Sequence, residues 1–291
     1  MNIAVFGNIY RPVILSHIKV IFDFFSDKNA QLMLDSDLYK YVKEHGDCCV
    51  QNTITFDDDN FAADVAISIG GDGTFLNTAA RVGKKNIPIM GINTGRLGFL
   101  ADVSVDNIQQ ALEDIYTGHF SVEERIMLQV ETNDGTAIEH PCVLNDISIL
   151  KQDSSSMIGI NVSLNGEPIN TYQADGLVIS TPTGSTAYSM SVGGPLLVPQ
   201  AENFVLSPVA SHSLNVRPLV IPDTWVIDLD VHSRTHSYMI SLDGRTKILE
   251  QSTRLHIKKA PYKLKVIKQE NHTFFNTLKN KLMWGVDKRN Y

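Results

Sequence analysis

Along the first hundred residues the chain alternates between two hydrophobic periods. Short, nearly continuous apolar runs at Ile3–Phe6, Asp64–Ile69 and Ile87–Ile92 read as buried strands. The stretches around Ile14–Phe25 and Ala30–His45 carry the helical period instead. Strand and helix in alternation predict a parallel sheet covered by helices. Ser104 to Tyr116 reads as an amphipathic helix with Ile108, Leu112 and Ile115 on one face, ended by Gly118. Its place in the chain suggests a bridge between two domains. From Phe120 the texture changes to strand-like runs: Ile126–Glu131, Val143–Leu150, Ile158–Leu164 and Trp225–Val231. Turn signals at Asp134-Gly135, Asn165-Gly166 and Asp243-Gly244 separate them, which predicts an antiparallel β domain. The segment from Asn271 to Trp284 returns to helical spacing, with Phe274, Phe275, Leu278, Leu282 and Met283 as an apolar stripe.

Composition narrows the choice of partner. With 291 residues and 43% hydrophobic content the chain can bury a sizeable core. A formal net charge of −7 speaks against nucleic acid or an anionic membrane as the main partner, because both demand a basic face. A small anionic substrate needs only a local cluster of donors, which backbone amides can supply. The start, Met1 to Tyr10, reads as a first strand and not as a leader, and no apolar stretch reaches the length of a membrane span. Cys48-Cys49 and the distant Cys142 form neither an even disulfide framework nor a CxxC pair, so a reducing cytoplasm is the expected compartment.

Two loops carry candidate chemistry. Gly70-Gly71-Asp72-Gly73-Thr74 lies between a buried strand and the helical pattern Phe75–Val82, where a chain must turn sharply and a ligand can approach the backbone. It is a phosphate site in form, although Leu76 stands where the dinucleotide fingerprint needs its third glycine and no GxxxxGK[ST] occurs. Read alone, Asp72-Gly73 is equally a tight turn. The second loop follows the strand Gly176–Ser180 and gathers Thr181, Thr183, Ser185 and Thr186 around Pro182 and Gly184, then Tyr188. Its hydroxyls suit ribose and phosphate oxygens and its ring suits a base, while local helix capping is the competing role. Ser185 lacks the GxSxG setting of a hydrolase nucleophile.

Taken with Gly91–Leu100, Asn145-Asp146, Asp175–Tyr188, Gly193-Gly194-Pro195 and the Phe274–Leu278 tail, these loops closely resemble the bacterial NAD kinase family over nearly the whole chain and in its motif order. The resemblance implies a Rossmann-like α/β N-terminal domain and an all-β, sandwich-like C-terminal domain. The expected division is 1–102 as a nucleotide-binding domain, 103–268 as a dinucleotide-binding and oligomerisation domain, and 269–291 as a helical tail returning to the first. The family reaction moves the γ-phosphoryl of ATP to the 2′-hydroxyl of the adenosine ribose of NAD, giving NADP. Carried over residue by residue, Asp72 matches the proton acceptor, with Gly70, Gly71, Gly73 and Thr74 beside it against the ligands. Asn145 and Asp146 match a dinucleotide-binding pair, in which the family glutamate is here an aspartate one methylene shorter. Asp175, Thr186, Ala187, Tyr188, Ser189, Met190 and Ser191 match further dinucleotide contacts, and Arg245 falls near another. Mg²⁺ or another divalent cation is expected with ATP, held mostly by its oxygens, with no dedicated protein ligands. A homodimer or homotetramer is implied by analogy.

Two other classes compete: a lipid or sugar kinase sharing the Gly-Gly-Asp-Gly loop, and a noncatalytic dinucleotide sensor. The first should lack the Thr183–Tyr188 loop and the second should have lost Asp72, whereas both are present. His232 and His236 have the spacing of a helical metal pair but lie between strand-like runs without an evident third ligand.

Overall fold

The structure, a computed structural model, describes residues 1–46, 53–95, 98–153, 156–269 and 273–285. Cys48, Cys49 and Asn271, with Arg96 and Leu97 of the Gly91–Leu100 motif and His272 of the C-terminal segment, lie outside the described residues. The chain divides into two compact units, Met1–Glu124 with Leu264–Tyr291, and Arg125–Lys263.

The first unit is an α/β fold. Its elements are β1 (Asn2–Gly7), α1 (Ile14–Phe25), β2 (Gln31–Asp35), α2 (Ser36–His45), β3 (Ile54–Phe56), β4 (Val65–Gly70), α3 (Asp72–Val82), β5 (Ile89–Asn93), α4 (Ile108–Thr117) and β6 (Ser121–Arg125). The sheet order is β3-β2-β1-β4-β5, continued by the returning strand Leu264–Lys268 and by β6. From β3 to the returning strand every pairing is parallel. β4 is buried at all six positions, as a strand covered on both faces must be.

Three expectations change here. The helix around Ala30–His45 is a strand followed by a helix. Leu32 and Leu34 alternate into the core while Asp35 ends the strand and caps α2, accepting the N–H of Asp37 and Leu38. Gln31, Leu32, Met33 and Leu34, none of them branched at Cβ, tolerate a helix, so their period of two is hidden in the sequence. Second, α4 is no bridge: Ile108, Ala111, Leu112 and Ile115 enter the same core as Ile14, Ile18 and Ile21 of α1. The unit therefore extends to Glu124, not 102, and the return begins at Leu264, not 269, because Leu264–Lys268 is a strand of this sheet. Third, the C-terminal helix runs Phe274–Leu282, capped by Thr273, and buries only Leu278 of its expected stripe; Phe275 and Met283 are exposed. Gly118 does end α4, at φ 77°.

The second unit is a β-sandwich. Its strands are β7 (Leu128–Thr132), β8 (Cys142–Val143), β9 (Asp146–Leu150), β10 (Ile158–Leu164), β11 (Glu167–Ala174), β12 (Gly176–Ser180), β13 (Asn203–Val209), β14 (Leu219–Pro222), β15 (Ile227–His232), β16 (Ser237–Leu242), β17 (Arg245–Glu250) and β18 (Leu255–Lys259). They form two six-stranded sheets, β11-β10-β15-β18-β7-β8 and β14-β13-β12-β9-β16-β17. Ile160 and Leu229 from the first and Ile149, Ile179 and Phe204 from the second share one core. Asn165-Gly166 and Asp243-Gly244 make two-residue hairpins, both residues of each at positive φ. The expected strand Val143–Leu150 is broken at Leu144-Asn145, whose amides leave the ladder for a side chain described below. No described helix is long and apolar enough to cross a membrane.

Candidate functional site

In the first unit the sheet order reverses between β1 and β4, and ligands of open α/β sheets gather outside the carboxyl ends of strands at such a point. β4 ends at Gly70, where a Cβ would lie 2.2 Å from the Thr74 hydroxyl oxygen; only glycine fits. Gly71 and Gly73 face open space, so a ligand can reach their backbone. α3 starts at Asp72 with no side-chain cap, which leaves its first amides directed outward at the positive end of the helix. A cavity of about 530 Å³ opens here, lined by Gly71, Gly73, Thr74, Asn77, Asn8 and Arg11.

The Asp72 carboxylate turns away from its own helix. Its Oδ1 accepts the N–H of Leu100 at 3.1 Å and of Ala101 at 3.2 Å, and its Oδ2 accepts the N–H of Phe99 at 3.0 Å. The side chain is thus neither a helix cap nor a turn former. It is clamped by three successive amides, with Oδ2 keeping an acceptor position that Lys281 Nζ approaches to 3.5 Å. Gly98 is required at this clamp, since a Cβ there would sit 2.0 Å from Oδ1.

In the second unit Asn145-Asp146 and the hydroxyl-rich loop pack directly on one another. Thr181 donates its N–H to the Asn145 carbonyl at 2.9 Å, and a Cβ on Gly184 would lie 2.1 Å from that same oxygen. Asp243 organises the pair from beneath: its carboxylate accepts the N–H of Leu144 at 2.8 Å, Asn145 at 2.8 Å and Asp146 at 3.1 Å. Burial pushes the Asp243 carboxyl up from the usual range, against the pull of those three amides and of Arg245. Asp146 is buried, accepts the Ser148 hydroxyl at 2.9 Å, and has its pKa pushed up to about 7 by burial, the charge of Asp243 adding to the rise. Asn145 Oδ1 is buried with no partner among the described residues.

The hydroxyls of the loop prove to be largely committed to its own backbone. Thr181 donates to the Leu144 carbonyl, Ser185 donates to the Pro182 carbonyl and accepts the Leu197 amide, and Thr186 donates to the Thr183 carbonyl. Ser189 is fully buried and pairs with Ser207. Capping and buttressing therefore account for most of the density that suggested ligand oxygens. Ala187 and Met190 are half-buried and Ser191 exposed, so this stretch offers backbone more than hydroxyls. Tyr188 stands at the start of a single helical turn with its side chain 37% exposed. Burial, then the charges of Asp146 and Asp175, push its hydroxyl pKa up, which sets the three residues in one neighbourhood. Asp175 pairs with Lys151 at 2.7 Å. Arg245 donates to the His140 carbonyl at 3.3 Å, and its charge acts on Asp243.

Sequence reasoning passed over Asp243, Asn8, Arg11, Asn77 and Lys281. The strand end Gly7-Asn8, adjacent to β4 in a parallel sheet, was the one available signal for the cavity residues.

Among known proteins, a family model described as the ATP-NAD kinase N-terminal domain matches residues 8–120, and one described as the ATP-NAD kinase C-terminal domain matches residues 144–269. The NAD kinase of Bacteroides fragilis is 50% identical over 289 residues, which cover 99% of this chain and 100% of that protein. The NAD kinase of Porphyromonas gingivalis is 40% identical over 290 residues, 98% of each chain. Among solved structures, an NAD kinase from Archaeoglobus fulgidus in complex with ATP matches with a TM-score of 0.75 and 25% identity, over 96% of this chain and 98% of that one. Yeast NADH kinase complexed with NADH, at 19% identity, shares the fold with a TM-score of 0.90 over 99% and 89% of the two chains.

Proposed function

This chain belongs to the NAD kinase family and phosphorylates NAD with ATP to give NADP, and we propose that Asp72 is the group that accepts the proton of the attacking 2′-hydroxyl. The observation that carries this reading is the clamp. Three amides fix the carboxylate of the residue between Gly71 and Gly73, which line the switch-point cavity, and leave one acceptor position on Oδ2. Phosphoryl transfer asks a protein chiefly to align the nucleophile, take its proton and offset phosphate charge. The outward amides of Gly71, Asp72 and Gly73 suit the triphosphate, and the second unit suits the dinucleotide. There Tyr188 offers an exposed ring face to a base, and Asn145 and Asp146 offer acceptors to ribose hydroxyls. Gly70 and Thr74 shape the turn, Asp175 and the 186–191 backbone border the ring, and Arg245 acts through Asp243.

Among the described residues no three His, Cys, Asp or Glu side chains gather as a cation cage. A divalent cation, Mg²⁺ or another, arriving on the oxygens of ATP would offset their charge. The free, buried Cys142 fits a reducing cytoplasm. Exposed Leu214, Leu219, Val220 and Ile248 of the second unit support a homodimer or homotetramer, which light scattering on the purified protein tests. The experiment for Asp72 is a rate comparison under saturating NAD, ATP and Mg²⁺. Asp72→Asn should form NADP about 10²–10⁴ times more slowly, the usual contribution of a positioned proton acceptor. Equal rates would remove Asp72 from proton transfer.

A further inference from the structure

Lys281 lies in the last turn of the C-terminal helix, in the same unit as Asp72. Its Nζ is 3.5 Å from Asp72 Oδ2 and 4.4 Å from the centre of the Phe99 ring, whose residue also donates its N–H to that oxygen. At 3.5 Å the ion pair is at the outer edge of a hydrogen bond, and the carboxylate already has three amide donors. Satisfying Asp72 is therefore not what the lysine is needed for. A partly exposed pair of this kind contributes little stability. The ring face nevertheless holds the ammonium group beside the carboxylate, since the aromatic quadrupole attracts a cation.

Geometry then fixes what the cation can reach. The nucleophilic oxygen must come within about 2.6–3.2 Å of Oδ2 to pass on its proton. The reacting phosphorus lies about 3–3.5 Å beyond it. A cation 3.5 Å from Oδ2 on a flexible four-carbon stem can meet the equatorial oxygens of that phosphoryl group. We propose that Lys281 is a catalytic residue whose ammonium group binds and neutralises the γ-phosphoryl oxygens during transfer.

The step balances without any proton leaving Lys281. The hydroxyl oxygen bonds to phosphorus, its proton passes to Asp72 Oδ2, the bond from phosphorus to the bridging oxygen breaks, and that electron pair departs with ADP. Lys281 lends hydrogen bonds to oxygens whose charge is redistributed along the way. Its contribution belongs to the transition state and should appear in kcat more than in KM. The inference rests on Asp72 as proton acceptor.

Lys281→Met tests it, because methionine keeps an apolar stem against Phe99 and removes the charge. Turnover should fall roughly 10²-fold, the scale for loss of one charge-stabilising donor. KM for NAD should stay within about threefold and the melting temperature should not change, while Lys281→Arg, which keeps the cation, should recover to within about tenfold of wild type. Lys281→Gln repeats the test should methionine disturb the helix. Neutral variants that turn over within about threefold of wild type would overturn the proposal, as would an arginine variant as slow as the neutral ones. Asp72→Asn run in parallel separates the two assignments. A slow Asp72→Asn with normal neutral variants at 281 rejects the lysine alone, and a normal Asp72→Asn with slow neutral variants rejects the proton acceptor alone.

Discussion

The Asp243 carboxylate accepts the backbone N–H of Asn145 at 2.8 Å across 98 positions of sequence, and this bond, with its neighbours to Leu144 and Asp146, holds the chain where it passes from β8 of one sheet to β9 of the other. The turn of one hairpin thereby sets the backbone of the Asn145-Asp146 pair. Asp243→Ala would leave three amides without their acceptor, and each buried donor so orphaned costs about 1–3 kcal/mol. We expect the second unit to lose at least about 3 kcal/mol in urea unfolding and NAD to bind more weakly. ATP binding should be unaffected. An unchanged urea midpoint would show that water replaces the carboxylate at no cost.

Asp146 gives the pH dependence its sign. Its folded pKa is raised from the ordinary carboxylate range to about 7, chiefly by burial. Below about pH 4 both states hold the proton, and between about 4 and 7 only the folded state does. Unfolding then releases a proton, so this group's contribution to stability falls as pH rises through that window, by at most about 1.4 kcal/mol per pH unit. Above about 7 neither state holds it and the dependence ends. Asp146→Asn should flatten this part of the stability profile relative to wild type, which chemical denaturation at a series of pH values would detect. Parallel profiles for the two proteins would contradict the raised pKa.

Tyr188 is the most exposed aromatic group beside Asp146 and Asp175. Tyr188→Ala should weaken NAD binding by about 1–3 kcal/mol, the range for base–aromatic stacking, and leave ATP binding as it is. Normal NAD affinity in calorimetry on the folded variant would return the ring to a packing role.

What could be read in the sequence follows from how local each signal is. Ile14–Phe25, Ile158–Leu164 and Gly176–Ser180 have the bounds expected of them, because one unbroken pattern defines each. Asn165-Gly166 and Asp243-Gly244 announce hairpins through residues that tolerate positive φ. Asp72 stood out because a strand, three glycines and a helix surround it. Partners far along the chain left no such mark. The amides of Phe99, Leu100 and Ala101 come to Asp72 only through the fold, and Lys281 reads locally as an ordinary cation near a helix C-terminus. Hydroxyl density in the second loop left capping and ligand binding equally open, and only the fold assigns partners: Pro182 and Leu197 to Ser185, and Ser207 to Ser189.

The proposed function divides the labour, with proton transfer at Asp72 and dinucleotide recognition on the second unit. Titration calorimetry of NAD into Asp72→Asn tests it most directly, since asparagine keeps the size of the side chain and one acceptor oxygen but cannot take up the proton. The account predicts an NAD affinity within about threefold of wild type, less than about 0.7 kcal/mol, in a protein that has lost turnover. An affinity weakened by tenfold or more, about 1.4 kcal/mol, would contradict it and make Asp72 a residue of recognition.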